Sequence, residues 1–260
     1  MTRYVLVPGA DGQAWYWHRL IPELEKRGHT AVAVELPKAA SSTLADYAAA
    51  IVQAAQPVGA AHPPGSGSLP RHAGAVGASE QLSATSAGEM VLVAQSLGAF
   101  SAPLACSRLP VRELVLVNPM IPAAGETGGD WWENTGHGPA RAAAAAAHGW
   151  PAEFDLLTGF FHDVPAEVTE RAFSADAHPA ELDGIFTDPW PPAGWPDLPT
   201  RIILGSGDRF FPLEFQRQIA GERLGATRID VIDSGHLSAL SRPVELAAAL
   251  IGDRVDLDRP

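Results

Sequence analysis

The sequence predicts an α/β fold: a doubly wound, mostly parallel sheet covered by helices on both faces. Three observations carry that expectation. Short apolar, β-branched runs alternate with amphipathic stretches of helical length, the pattern of parallel strands buried on both faces and joined by crossover helices. A chain of 260 residues that is 46% hydrophobic can bury one large core of this kind. The residues with chemical potential fall in loops that follow the runs, on the sheet edge where such folds bind ligands.

The elements follow in order. A strand over 3–7 leads into the turn Pro8-Gly9-Ala10-Asp11-Gly12, then a helix over 15–27, a strand over 31–36 and a helix over 44–55. Residues 57–89 are rich in Ala, Gly, Ser and Pro and show no periodicity. They read as a long surface loop, with an inert insertion preferred to a functional lid. Strand 90–95 (Met90-Val91-Leu92-Val93-Ala94-Gln95) runs into Ser96-Leu97-Gly98, which opens a helix over 97–108, and a strand follows over 113–117. Residues 120–199 break the alternation. They hold five of the seven Trp (Trp131, Trp132, Trp150, Trp190, Trp195) and five of the nine Phe (Phe154, Phe160, Phe161, Phe173, Phe186). An aromatic excursion at the C-terminal edge of a sheet reads as a helical cap over an apolar pocket, its rings shared between its own core and the pocket wall. Its alanine-rich stretch 141–148 is the expected cap helix. Strands over 201–204 and 227–232, with helices over 212–224 and 243–251, complete the core. The expected division is a core of 1–119 and 200–260, interrupted by the loop 57–89, and a cap of 120–199.

Composition narrows the function. Eighteen Lys and Arg against 30 Asp and Glu leave a formal charge of −12, with no basic cluster to attract nucleic acid. No apolar run approaches the roughly 18 residues of a membrane helix. No basic, apolar and cleavable leader precedes the first strand. A cytoplasmic compartment is the expectation. Cys106 is the one cysteine, so an intrachain disulfide and a cysteine-based zinc site are excluded, and it reads as a small buried hydrophobe. No metal motif, dinucleotide fingerprint or P-loop is present, so no metal or cofactor is expected.

The chemistry starts at Ser96. A serine between strand and helix, with the small residues Ala94 and Gly98 two places either side, fits a nucleophile elbow. A serine hydroxyl needs a neutral imidazole to take its proton and a carboxylate to orient that imidazole. The chain supplies both in later loops. Asp208 ends Arg201-Ile202-Ile203-Leu204-Gly205-Ser206-Gly207-Asp208. His236 ends Val231-Ile232-Asp233-Ser234-Gly235-His236. Asp233 and Asp188 compete with Asp208 for the acid. Asn118 holds another loop position where an acid could sit but is no carboxylate, so Asp208 is preferred. The expected oxyanion donors are the backbone N–H groups of Leu97 and Ala10. The candidate pocket residues are Gly9, Gln95, Trp131, Trp132, His137, Phe160, Phe161, Phe210 and Leu237. The leading function is cleavage of an ester, thioester or lactone with an apolar body by a monomer or homodimer. A lyase, cyclase or peroxidase on the same scaffold, or a receptor that keeps the triad, remain as alternatives.

These residues resemble the α/β-hydrolase superfamily over nearly the whole chain. The likeness is closest to the branch that holds plant methyl-ester esterases and hydroxynitrile lyases and to their bacterial relatives. The matching segments are Val5-Leu6-Val7-Pro8-Gly9-Ala10, Trp15-Tyr16-Trp17-His18, Gln95-Ser96-Leu97-Gly98, Asn118-Pro119-Met120-Ile121-Pro122, Asp208-Arg209-Phe210-Phe211-Pro212 and Gly235-His236. The resemblance implies an α/β-hydrolase fold with the cap after the family's sixth strand. It also implies Ser96 as nucleophile, Asp208 as acid and His236 as base, with Ala10 and Leu97 as oxyanion donors. Three positions depart from it. Pro8 stands where the family usually has His. Gly9 and Leu237 stand where the lyases carry Thr and Lys, which favours the esterase side. The stretch 57–89 is not part of the family pattern.

Overall fold

The computed structural model describes residues 1–10, 12–56, 90–174, 182–191, 193–225 and 228–252. The expected insertion 57–89 therefore lies outside the described residues. Six strands form one parallel sheet: β1 (Arg3–Val7), β2 (Thr30–Ala33), β3 (Met90–Gln95), β4 (Val111–Val117), β5 (Thr200–Gly205) and β6 (Arg228–Ile232). Their order is β2-β1-β3-β4-β5-β6, and every pairing is parallel. The chain runs outward from β1 to β2, then returns to the far side of β1 for β3. That reversal places a crevice at the C-terminal ends of β1 and β3.

The strand sequences explain the two-sided burial. Val5, Val7, Leu92, Ala94, Leu114, Leu116, Ile202 and Leu204 enter one core cluster, while Tyr4, Leu6, Val91, Val93, Val115, Val117 and Ile203 enter the other. Successive side chains point to opposite faces, so a continuous apolar strand feeds both layers. The helices between the early strands are α1 (Leu20–Glu25), α2 (Leu44–Ala55) and α3 (Gly98–Ala105). A capping box starts α2: Thr43 Oγ1 accepts from Asp46 N–H at 3.2 Å and Asp46 Oδ2 accepts from Thr43 N–H at 2.9 Å, which satisfies two otherwise orphaned donors.

Between β4 and β5 lies the expected excursion. Its helices are α4 (Gly128–Asn134), α5 (His137–His148), α6 (Leu156–Gly159), α7 (Ala166–Ala172) and α8 (Asp183–Thr187). The alanine-rich helix begins at His137, four residues before the sequence suggests, because Gly136 takes the left-handed conformation that opens it. After β5 come α9 (Leu213–Leu224), α10 (Ser238–Ser241) and α11 (Pro243–Ile251). The ends of α11 are set by Pro243 at its first turn and Gly252 at φ +85°. The helix expected over 15–27 is divided: Ala14–Trp17 forms a 3₁₀ turn before α1. Cys106 is buried, and burial pushes its thiol up to about 12.

Arg201 is a charged residue inside the core, 4% exposed. Its guanidinium pairs with Glu113 at 2.9 Å and Asp230 at 3.2 Å, and donates to the carbonyls of Ala249 at 2.7 Å and Leu250 at 2.6 Å. It ties β4, β5, β6 and the end of α11 together.

Candidate active site

Ser96 adopts φ +51°, a left-handed backbone that costs a non-glycine residue of order 1–3 kcal/mol. The surrounding ladder holds it there: Ser96 N–H donates to Val117 O at 3.0 Å and Ser96 O accepts from Met120 N–H at 3.0 Å. Gly98 makes the turn possible. A Cβ there would lie 2.6 Å from the Pro8 carbonyl and 3.3 Å from Val7 Cγ1. The elbow therefore packs directly on the loop after β1.

Three loops converge at this point. The Ser96 hydroxyl lies 3.1 Å from His236 Nε2, and His236 Nδ1 lies 2.7 Å from Asp208 Oδ2. A carboxylate only accepts, so Nδ1 carries the proton and Nε2 is left to accept from the serine. The other oxygen of Asp208 accepts from the backbone N–H groups of Phe210 at 2.8 Å and Phe211 at 2.9 Å. All three side chains are buried. Asp233 is exposed, and Asp188 Oδ2 instead accepts from Leu44 N–H at 2.8 Å. Among the described residues neither the Ala10 nor the Leu97 backbone N–H has a protein acceptor.

Asn118 supports the arrangement in a way its sequence position does not reveal. It sits at φ +43° at the end of β4. Its side-chain amide donates to the carbonyls of His236 at 3.0 Å and Gly235 at 3.2 Å, and its oxygen accepts from Gly205 N–H at 2.7 Å. One buried amide thus cross-links the loops after β4, β5 and β6, at a position sequence reasoning set aside for lacking a carboxylate.

A cavity of about 690 Å³ opens above Ser96 and His236. Gln95, Phe160, Phe161 and Leu237 line it, together with Ala10, Gln13, Trp15, Tyr16, Leu156, Arg171, Phe173, Leu182 and Leu240. Phe160 stacks on the His236 imidazole with centroids 4.9 Å apart and planes 26° from parallel. Trp131, Trp132, His137, Phe210 and Gly9 are not among the lining residues, which corrects the sequence expectation. Trp131 is fully buried and donates its indole N–H to Ile121 O at 2.9 Å. His137 donates from Nε2 to Phe210 O at 2.8 Å, and its ring contacts Trp131, Trp132, Phe210, Phe211 and Phe215. These rings fill the seam between excursion and core, because aromatic surface is buried best against other rings. Phe210 reaches the site only by setting its ring against His236 at 5.3 Å. Gly9 acts through the space it leaves: a Cβ there would meet Gln95 Oε1 at 2.3 Å. Sequence missed Gln13, Trp15, Tyr16, Leu156, Arg171, Phe173, Leu182 and Leu240; of these, Trp15 and Tyr16 stand in the turn after the loop following β1. A position just beyond a strand end was the available signal for them.

Among the described residues no group of three or more His, Cys, Asp or Glu could hold a metal ion. No helix among them is long and apolar enough to cross a membrane.

A parallel sheet with this strand order and a serine at a strained strand–helix turn defines the α/β-hydrolase class of fold. The chain belongs to the alpha/beta hydrolase family, whose model matches residues 4–249. No curated protein sequence matches it. Among solved structures, polyneuridine aldehyde esterase is similar at 21% identity, with 97% of this chain and 98% of that chain covered and a TM-score of 0.67. A methylesterase from Arabidopsis is similar at 18% identity, with coverages of 97% and 98% and a TM-score of 0.60. A pyrethroid hydrolase from Sphingobium faniae JZ-2 is similar at 18% identity, with 96% of each chain covered and a TM-score of 0.62. At these identities the likeness is one of fold.

Proposed function

We propose that the protein is a serine hydrolase that cleaves a carboxylic ester, thioester or lactone with a small apolar body through an acyl-enzyme on Ser96. The observation that carries the reading is the unbroken chain of hydrogen bonds from Ser96 through His236 to Asp208 on the floor of the cavity. Ser96 Oγ attacks the substrate carbonyl while His236 Nε2 takes its proton, and Asp208 steadies the resulting imidazolium. The backbone N–H groups of Ala10 and Leu97 receive the negative charge that develops on the carbonyl oxygen. His236 then returns the proton to the departing alcohol or thiol. Water, deprotonated by His236, releases the acid and restores Ser96.

Residues 120–199 act as the cap in this reading, since they supply Leu156, Phe160, Phe161, Arg171, Phe173 and Leu182 to the cavity wall. The apolar residues among them, with Trp15, Leu237 and Leu240, select an apolar acyl or alcohol group. The similar structures named as esterases and as a pyrethroid hydrolase are consistent with ester chemistry on this scaffold. The test is turnover of a panel of p-nitrophenyl, methyl and thio esters by wild type and Ser96→Ala. The reading expects wild-type turnover that Ser96→Ala abolishes with the fold retained. Turnover that persists in Ser96→Ala overturns the nucleophile, and no acyl turnover by folded wild type moves the function to a non-hydrolytic enzyme or a receptor.

A further inference from the structure

We infer that the dipeptide His162-Asp163 is a positioning clip that joins the excursion to the loops of the acid and the base; this rests on the hydrolase reading. The two side chains make separate contacts. Asp163 Oδ2 accepts from the backbone N–H of Gly235 at 2.7 Å, one residue before His236. His162 Nε2 donates to the carbonyl of Gly207 at 2.9 Å, one residue before Asp208. Adjacent residues of the excursion therefore each hold the residue that precedes a member of the triad.

The packing around the clip is tight. The side chains of His162 and Asp163 are 12% and 13% exposed. A Cβ at position 235 would meet Asp163 Oδ1 at 2.5 Å and His162 Cε1 at 3.0 Å. Glycine at 235 is what lets the carboxylate approach the backbone so closely. Asp163 Oδ1 is buried and has no hydrogen-bond partner among the described residues. His162 Nδ1 is 3.7 Å from it, beyond hydrogen-bond distance. Burial, reinforced by the nearby Arg209 charge and opposed by Asp163 and Asp208, holds His162 below the ordinary imidazole range. The ring is neutral at pH 7, with Nε2–H committed to Gly207. A carboxylate with one oxygen on a backbone N–H and the other unpartnered is an expensive way to fill a surface loop. Its return is the placement of His236.

The two residues before the clip reach the reacting centre. Phe160 stacks on the imidazole of His236 and Phe161 lines the cavity. Residues 160–163 thus set the face of the base and the approach angles of both supporting loops. A substrate that presses on Phe160 and Phe161 acts on the segment that holds the triad together.

The test compares Asp163→Ala, Asp163→Asn, His162→Ala and His162→Gln. The Asn oxygen can still accept from Gly235 N–H, and the Gln amide can still donate to Gly207 O. The readouts are kcat and KM on the best ester and the rate of Ser96 modification by a fluorophosphonate. A third is the strongly deshielded proton resonance of the His236–Asp208 hydrogen bond, which needs no turnover. The clip predicts that Asp163→Ala lowers kcat and the modification rate together by about 10- to 100-fold, the scale of a small misplacement of a reacting group. It predicts that KM stays within twofold and that the deshielded resonance broadens or disappears. Asp163→Asn and His162→Gln should recover most of the loss, and His162→Ala should resemble Asp163→Ala. If Asp163→Ala loses only thermal stability, with kcat per folded molecule and the resonance unchanged, the clip is structural alone and the inference is overturned. If wild type and Ser96→Ala are equally unreactive, the hydrolase reading fails instead; the resonance then decides the clip on its own.

Discussion

Gly98→Ala separates what the elbow does for stability from what it does for catalysis. Gly98 opens α3, so alanine gains up to about 1 kcal/mol of helix propensity there. Against that gain, its methyl would stand 2.6 Å from the Pro8 carbonyl and 3.3 Å from both Val7 Cγ1 and the Val7 carbonyl. The Pro8 oxygen belongs to backbone, not to a side chain that can swing away. It must retreat by about 0.8 Å to restore ordinary contact. Overpacking of this kind costs about 1–3 kcal/mol, so the net loss of stability is at most about 3 kcal/mol. The activity should suffer more. Pro8 is followed by Gly9 and Ala10, and Ala10 N–H is the proposed oxyanion donor from that loop. Removing such a donor outright costs about 100- to 1000-fold in kcat; displacing it should cost about 10- to 100-fold. The assay is steady-state hydrolysis of a short-chain p-nitrophenyl ester beside urea unfolding of the same preparation. A kcat within twofold of wild type would refute the placement of the oxyanion site between the elbow and the loop after β1.

Asp208→Asn keeps an oxygen for the N–H groups of Phe210 and Phe211 but turns an amide toward His236 Nδ1, which forces the imidazole into the wrong tautomer. The expected loss in kcat is about 10⁴-fold with little change in melting temperature, read by ester kinetics and circular dichroism. Arg201→Ala leaves Glu113, Asp230 and two helix-end carbonyls without their common partner. Because the two carboxylates are 21% and 30% exposed, the loss should fall at the lower end for a broken buried pair, about 3 kcal/mol by urea unfolding, with kcat per folded molecule unchanged. Burial holds His137 below the ordinary imidazole value of 6.5, with the Phe210 carbonyl opposing, and His18 and His162 are shifted the same way. The unfolded chain therefore binds protons below that pH that the folded chain does not. The stability these groups contribute is present above 6.5 and is lost as pH falls through the window beneath it. A thermal melt series from about pH 7.5 to about pH 5.5 should show a falling melting temperature, and His137→Gln should make the fall shallower.

The sheet, and the three candidate side chains that the structure brings together, were legible because each depends on short-range sequence. Val91, Leu92 and Val93 announce a buried strand by themselves; Ser96 and Asp208 each follow such a strand within a few residues, and His236 follows the partly exposed edge strand β6. The walls of the site were less legible because they depend on direction. Trp131 and His137 are as aromatic as Phe160 and Phe161, yet the first pair turns into the seam with Phe211 and Phe215 while the second pair faces the cavity. Composition does not record that choice. Asn118 was weighed as a failed acid because its value lies in reaching carbonyls at Gly235 and His236, more than a hundred residues away. The contacts of His162 and Asp163 span 45 and 72 residues, and no local pattern marks them. Gly98 was read as a small residue of the elbow turn and Gly9 as a candidate pocket residue; both act through close approach, to the Pro8 carbonyl and to Gln95.

The central claim is that Ser96 is a nucleophile activated by His236, and covalent trapping tests it most directly. The folded protein is incubated with a fluorophosphonate, and the adduct is located by peptide mass spectrometry. The account predicts one phosphonyl group per chain, on Ser96, with labelling absent in Ser96→Ala and slowed about 10³-fold or more in His236→Ala. Folded wild type that labels no faster than Ser96→Ala, or an adduct on any other residue, would contradict it.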